Sequence, residues 1–94
     1  MQNRVAQIEG VSTLTKLRKL NLSFNKIQKL EGLSTLTMLE VLELGKNQIS
    51  NVDLLQGTNQ FPMLTELYLY INQIKRLPTN LSFAQLKILN LNRN

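Results

Sequence analysis

The stretch Leu17-x-x-Leu20-x-Leu22-x-x-Asn25-x-Ile27 recurs as Leu39-x-x-Leu42-x-Leu44-x-x-Asn47-x-Ile49 and as Leu64-x-x-Leu67-x-Leu69-x-x-Asn72-x-Ile74. A fourth copy, Leu86-x-x-Leu89-x-Leu91-x-x-Asn94, reaches its asparagine at the last residue. The copies start 22, 25 and 22 residues apart. A period of this length means a stack of similar turns, because one such unit cannot bury its apolar side alone. The expected architecture is therefore an α/β-type solenoid. Composition agrees: 20 of 94 residues are Leu and only 5 are aromatic. A compact core is filled with varied shapes, whereas a stack of identical turns reuses one.

Within each unit Leu-x-Leu has period two, so its leucines share one side and the intervening residues the other. This predicts short strands at about 19–22, 41–44, 66–69 and 88–91, stacked as a parallel sheet with one strand per turn. Ile27, Ile49 and Ile74 extend the core past each strand. Leu30, Val52 and Leu77 open the return segment, and Leu36, Phe61 and Phe83 take its next inward slot. Asn25, Asn47, Asn72 and Asn94 follow each strand, where the chain turns sharply and buries backbone amides. An Asn side chain both donates and accepts, so it can serve its own turn and a neighbouring one. Four copies in one slot predict a structural asparagine ladder with no catalytic role.

The segment Leu30-Glu31-Gly32-Leu33-Ser34-Thr35-Leu36-Thr37-x-Leu39 has an earlier copy in Ile8-Glu9-Gly10-Val11-Ser12-Thr13-Leu14-Thr15-x-Leu17. With the strand motif, it resembles the 22-residue class of leucine-rich repeats. That class includes a regulatory subunit of type-one protein phosphatase, axonemal dynein light chains and bacterial internalins. The resemblance covers essentially the whole chain. It implies a right-handed superhelix with a parallel concave sheet and short 3₁₀ or helical convex crossovers. For function it implies a protein-binding scaffold, a regulatory or assembly subunit.

Two departures stand out. Gly57-Thr58-Asn59 reads as a three-residue insertion that swells one crossover, and Leu77-Pro78-Thr79-Asn80-Leu81 replaces the earlier Glu-Gly-Leu pattern. In the 22-residue register Asn3, Val5 and Ile8 match Asn25, Ile27 and Leu30. Residues 1–16 thus read as a partial repeat, full repeats start at 17, 39 and 64, and 86–94 are partial again. Neither end carries a polar cap, so the expectation is an excerpt of a longer array.

Composition narrows the chemistry. Without Cys or His there are no disulfides, no usual zinc ligands and no imidazole base. Glu43 and Glu66 fall on adjacent strands, but an open face neither excludes water nor raises a pKa as acid catalysis requires. No enzyme, cofactor, metal or small-molecule substrate is expected. Neither a secretion signal nor an apolar run of about 18 residues occurs, which argues against membranes and for an intracellular setting: the cytoplasm, with the nucleus or cilium as alternatives. The net charge is +5, with Lys16, Arg18, Lys19, Lys26 and Lys29 in the first full repeat. A continuous basic track would suit nucleic acid; Glu40, Glu43, Asp53 and Glu66 interrupt it, which argues for a solvated outer surface.

The residues between and after the strand leucines project from the concave face. Val41, Tyr68, Tyr70, Ile71 and Ile88 make it partly apolar, with Glu43, Glu66 and Lys46 around them. Apolar and aromatic anchors inside a charged rim are how protein interfaces are built. We therefore take Val41, Glu43, Glu66, Tyr68, Tyr70, Ile71 and Ile88 as candidate protein-binding residues. The competing explanation is cross-strand packing, which stabilises a sheet without binding anything. A fixed structural segment of a large assembly, such as an axonemal complex, is the other use of such a stack.

Overall fold

The computed structural model describes residues 14–33, 35–52, 61–77 and 85–94. Four strands of three residues each form one sheet: β1 (Lys19–Asn21), β2 (Val41–Glu43), β3 (Glu66–Tyr68) and β4 (Ile88–Asn90). Their spatial order is their chain order, and every pairing is parallel. The register aligns Leu20, Leu42, Leu67 and Leu89 across the sheet. Each strand stops one residue short of the expected end, although the ladder runs on into the turn. Leu22 N–H donates to Glu43 O at 2.8 Å and Phe24 N–H to Gly45 O at 3.0 Å.

One side of the sheet carries the core. Leu42, Leu44, Leu67 and Leu69 are fully buried with Ile27, Ile49, Leu30, Leu33, Leu36, Leu39, Phe61 and Leu64. Each such side chain contributes about 1.5–3 kcal/mol of transfer free energy. Leu17, Leu20, Leu22, Leu86 and Leu91 pack against this cluster while partly exposed. Leu77 is 41% exposed, unlike Leu30 and Val52 in the same slot of earlier units.

In the crossover from β1 to β2 the expected 3₁₀ or helical turn is corrected, since its described residues form no helix, while much of the other two crossovers lies outside the described residues. The return path is built from separate turns instead. Leu36 N–H donates to Leu33 O at 3.0 Å, and Leu39 N–H to Leu36 O at 3.3 Å. Leu14–Leu17 and Phe61–Leu64 repeat the second of these turns at 3.1 Å. Gly32, at φ 74°, takes a left-handed conformation that a right-handed helix excludes. Thr35 and Thr37 add β-branched residues, which favour turns over helix. Asn3, Val5 and Ile8, the Gly57-Thr58-Asn59 insertion, Pro78 and Phe83 lie outside the described residues.

The asparagines tie the units together. Asn47 Nδ2 donates to Leu44 O of its own turn at 3.0 Å and to Leu22 O of the preceding unit at 2.9 Å. Its Oδ1 accepts from Ile27 N–H at 3.1 Å. Asn72 repeats the pattern on Leu69 O, Leu44 O and Ile49 N–H at 3.0, 3.0 and 2.9 Å. Asn94 does so on Leu91 O, Leu69 O and Ile74 N–H at 2.9, 2.8 and 3.1 Å. Asn25 donates to Leu22 O at 2.8 Å. Asn25, Asn47 and Asn72 are buried, whereas Asn94 is exposed.

Candidate functional site

Strand alternation sends the leucines inward, so the opposite face of the sheet carries the residues between them. The register aligns them in two rows. Lys19, Val41, Glu66 and Ile88 form the first, and Asn21, Glu43, Tyr68 and Asn90 the second. Val41, Glu43, Glu66 and Tyr68 are half-buried at the middle of this face, and Ile88 is 42% exposed. Five of the seven candidate residues therefore lie on adjacent strands. Tyr70 and Ile71 follow in the turn after β3.

The electrostatics of the face centre on two carboxylates. Tyr68 donates its hydroxyl to Glu66 Oε1 at 2.5 Å, a short charge-assisted bond. That bond, then desolvation and the nearby charges of Glu66 and Glu43, raises the Tyr68 phenol pKa above its usual value. The ion pairs among the described residues are Arg18–Glu40 at 3.5 Å and Lys29–Glu31 at 3.9 Å, and neither includes Glu43 or Glu66. A hollow of about 360 Å³ lies beside them, lined by Lys19, Leu20, Asn21, Val41, Glu43 and Glu66.

The turn residues depart from the simple picture of outward projection. Ser23 and Gly45 directly follow strand leucines, yet both are buried. Gly45 is buried because the Tyr70 ring sits on it, so closely that any Cβ at Gly45 would collide with the ring. Phe24, Lys46, Ile71 and Arg93, just before each asparagine, all have positive φ, at 62°, 57°, 53° and 61°. Left-handed backbone is costly for a β-branched residue, so Ile71 is held there by its surroundings. Lys46 Nζ lies 4.4 Å from the centre of the Phe24 ring, a cation–π contact between neighbouring turns.

Sequence reasoning passed over the Gly45 contact and the left-handed turns. Gly45 was legible only as a gap in the slot that holds Ser23, Tyr70 and Asn92, and its partner is one unit away. The left-handed turns left no trace, since none of the four residues is Gly or Asn.

Among the described residues, no group of three or more His, Cys, Asp or Glu could hold a metal ion. No helix among them is long and apolar enough to cross a membrane. The basic residues of the first full repeat are divided: Arg18 pairs with Glu40, while Lys19 lies at the edge of the hollow.

Comparison with known families matches the Leucine Rich repeat family at residues 13–36 and again at 35–55. Comparison with curated proteins finds no match.

Proposed function

Because the chain belongs to the leucine-rich repeat family, we propose that it is a protein-binding module that holds its partner on the open face of the sheet. Leucine-rich repeats generally mediate protein–protein interaction. In this proposal the units are successive turns of a right-handed solenoid, with the sheet on the concave side. Sequential parallel order supports that reading, since crossovers between parallel strands are right-handed almost without exception. The finer role is that of a regulatory or assembly subunit, which adds no chemistry and supplies a surface.

One observation carries the proposal: half-buried Val41 and Tyr68 stand side by side with Glu43 and Glu66 on the sheet face turned away from the core. An aromatic anchor with a polar tip, beside an aliphatic residue and ringed by charge, has the make-up of an interface hot spot. The test is partner capture from a cell extract by the full chain and by Val41→Ala/Tyr68→Ala, with the circular-dichroism melt of each. We expect capture to be lost while the melting temperature moves by a few degrees at most. If capture survives in that variant and is lost in Lys16→Ala/Lys26→Ala, the binding surface is the basic one and the proposal fails.

A further inference from the structure

We propose that the partner presents a cationic side chain, arginine or lysine, to the Glu43 and Glu66 carboxylates in the hollow of the open face. This rests on the open-face reading above and names the chemistry that would occupy it.

The argument begins with charge placement. The chain as a whole carries +5, so its carboxylates have cations to spare. Among the described residues away from the open face, Glu40 has Arg18 and Glu31 has Lys29. On the face they do not. Glu43 and Glu66 form no ion pair with any described residue, although Lys19 lines the same hollow. Two carboxylates against one ammonium leave the hollow with one negative charge in excess.

The shape agrees with the charge. The walls of the hollow include Val41 and Leu20, apolar surface of the kind that the aliphatic stem of a lysine or arginine covers while its head stays polar. Tyr68 pairs with Glu43 across the sheet and donates its hydroxyl to Glu66, so its ring stands next to both carboxylates. A guanidinium between the carboxylates could lie against that ring and gain a cation–π contact. An acidic segment would meet two uncompensated carboxylates and lose affinity to like-charge repulsion. A purely apolar one would leave both carboxylates to be desolvated without a partner.

The test is a titration of the isotope-labelled full chain with three short peptides, Ala-Leu-X-Leu-Ala, capped at both ends. X is arginine, its neutral isostere citrulline, or glutamate. Backbone amide shifts of Val41, Glu43, Glu66 and Tyr68 report binding. The arginine peptide should shift these amides, with an affinity about tenfold above the other two. Glu43→Gln/Glu66→Gln, which keeps shape and removes charge, should erase that preference. Equal binding of arginine and citrulline peptides overturns the inference; loss of both in Tyr68→Ala would then leave the open-face reading standing. Preferred binding of the glutamate peptide, or no shift with any peptide, overturns it too. So does a dimer in sedimentation that Glu43→Gln/Glu66→Gln dissociates, which would assign the hollow to a second copy of this chain. The open-face reading is judged separately, by the Val41→Ala/Tyr68→Ala capture experiment.

Discussion

The ring of Tyr70 rests on the Cα of Gly45, one unit earlier in the chain, and occupies the space where a side chain would begin. Tyr70 is therefore tied to its own neighbour, and Gly45 is required by packing rather than by backbone freedom. Gly45→Ala should destabilise the chain by about 1–3 kcal/mol, the usual cost of forcing extra volume into a packed contact. In a Tyr70→Ala background the same change should cost almost nothing. Urea denaturation of the four proteins closes the cycle, and additive effects would show that the ring does not restrain this position.

Asn47→Ala removes a side chain that serves four backbone groups, Leu22 O, Leu44 O, Gly45 O and Ile27 N–H. Buried groups left unpaired cost about 1–3 kcal/mol. Asn94 makes the same four kinds of bond but is exposed, so water can replace it. Asn94→Ala should therefore cost clearly less than Asn47→Ala in the same denaturation assay. Equal losses would mean that burial is not what gives the rung its value.

Ile71 holds φ at 53°, a region that carries a penalty of roughly 1–2 kcal/mol for residues with a Cβ. Asn tolerates it better through its short polar side chain. Ile71→Asn should thus raise the unfolding free energy, by about 0.5–1 kcal/mol after the loss of some apolar contact. A lower midpoint in urea would show that the half-buried isoleucine side chain contributes more than its backbone costs.

Tyr68 gives a spectroscopic handle. Tyr70→Phe leaves it as the single tyrosine of the chain, so absorbance at alkaline pH follows one phenol. Its midpoint should lie above that of free tyrosine and fall when Glu66 is replaced by Gln. The sign for stability follows from linkage. The folded chain keeps a proton that the unfolded chain releases, so the contribution is fully present below the unfolded pKa of about 10 and is lost as pH rises through the folded value. Unchanged midpoints in both proteins would mean that the Tyr68–Glu66 bond does not persist in solution.

What could be read from the sequence was whatever repeats. Leu20, Leu42, Leu67 and Leu89 gave the strand centres because a period of two within a period of 22 leaves one consistent placement. The asparagine slot was legible for the same reason: one residue type at one phase of every unit demands one physical role. The crossover from β1 to β2 was not legible. The helical expectation came from resemblance, and Gly32 together with the threonines around Leu36 turned the chain instead. The face was legible only in outline, since alternation tells which residues point outward and not which lean on each other. Tyr70 on Gly45 and Lys46 over Phe24 are contacts between neighbouring turns, and no local pattern encodes them.

The rung from Asn47 reaches back 20 residues to Ile27, that from Asn72 reaches 23 to Ile49, and that from Asn94 reaches 20 to Ile74. All three bonds are nonetheless closed, at 3.1, 2.9 and 3.1 Å. Three additional residues of contour are thus taken up between β2 and β3 with no phase error in the rungs or in the pairing of Leu42 with Leu67. The longer crossover therefore leaves the spacing of the rows on the open face unchanged in this chain. A gene encoding it can gain codons on the return path while Val41, Glu43, Glu66 and Tyr68 keep their places, so the return path can diverge in length without redrawing the open face of the sheet.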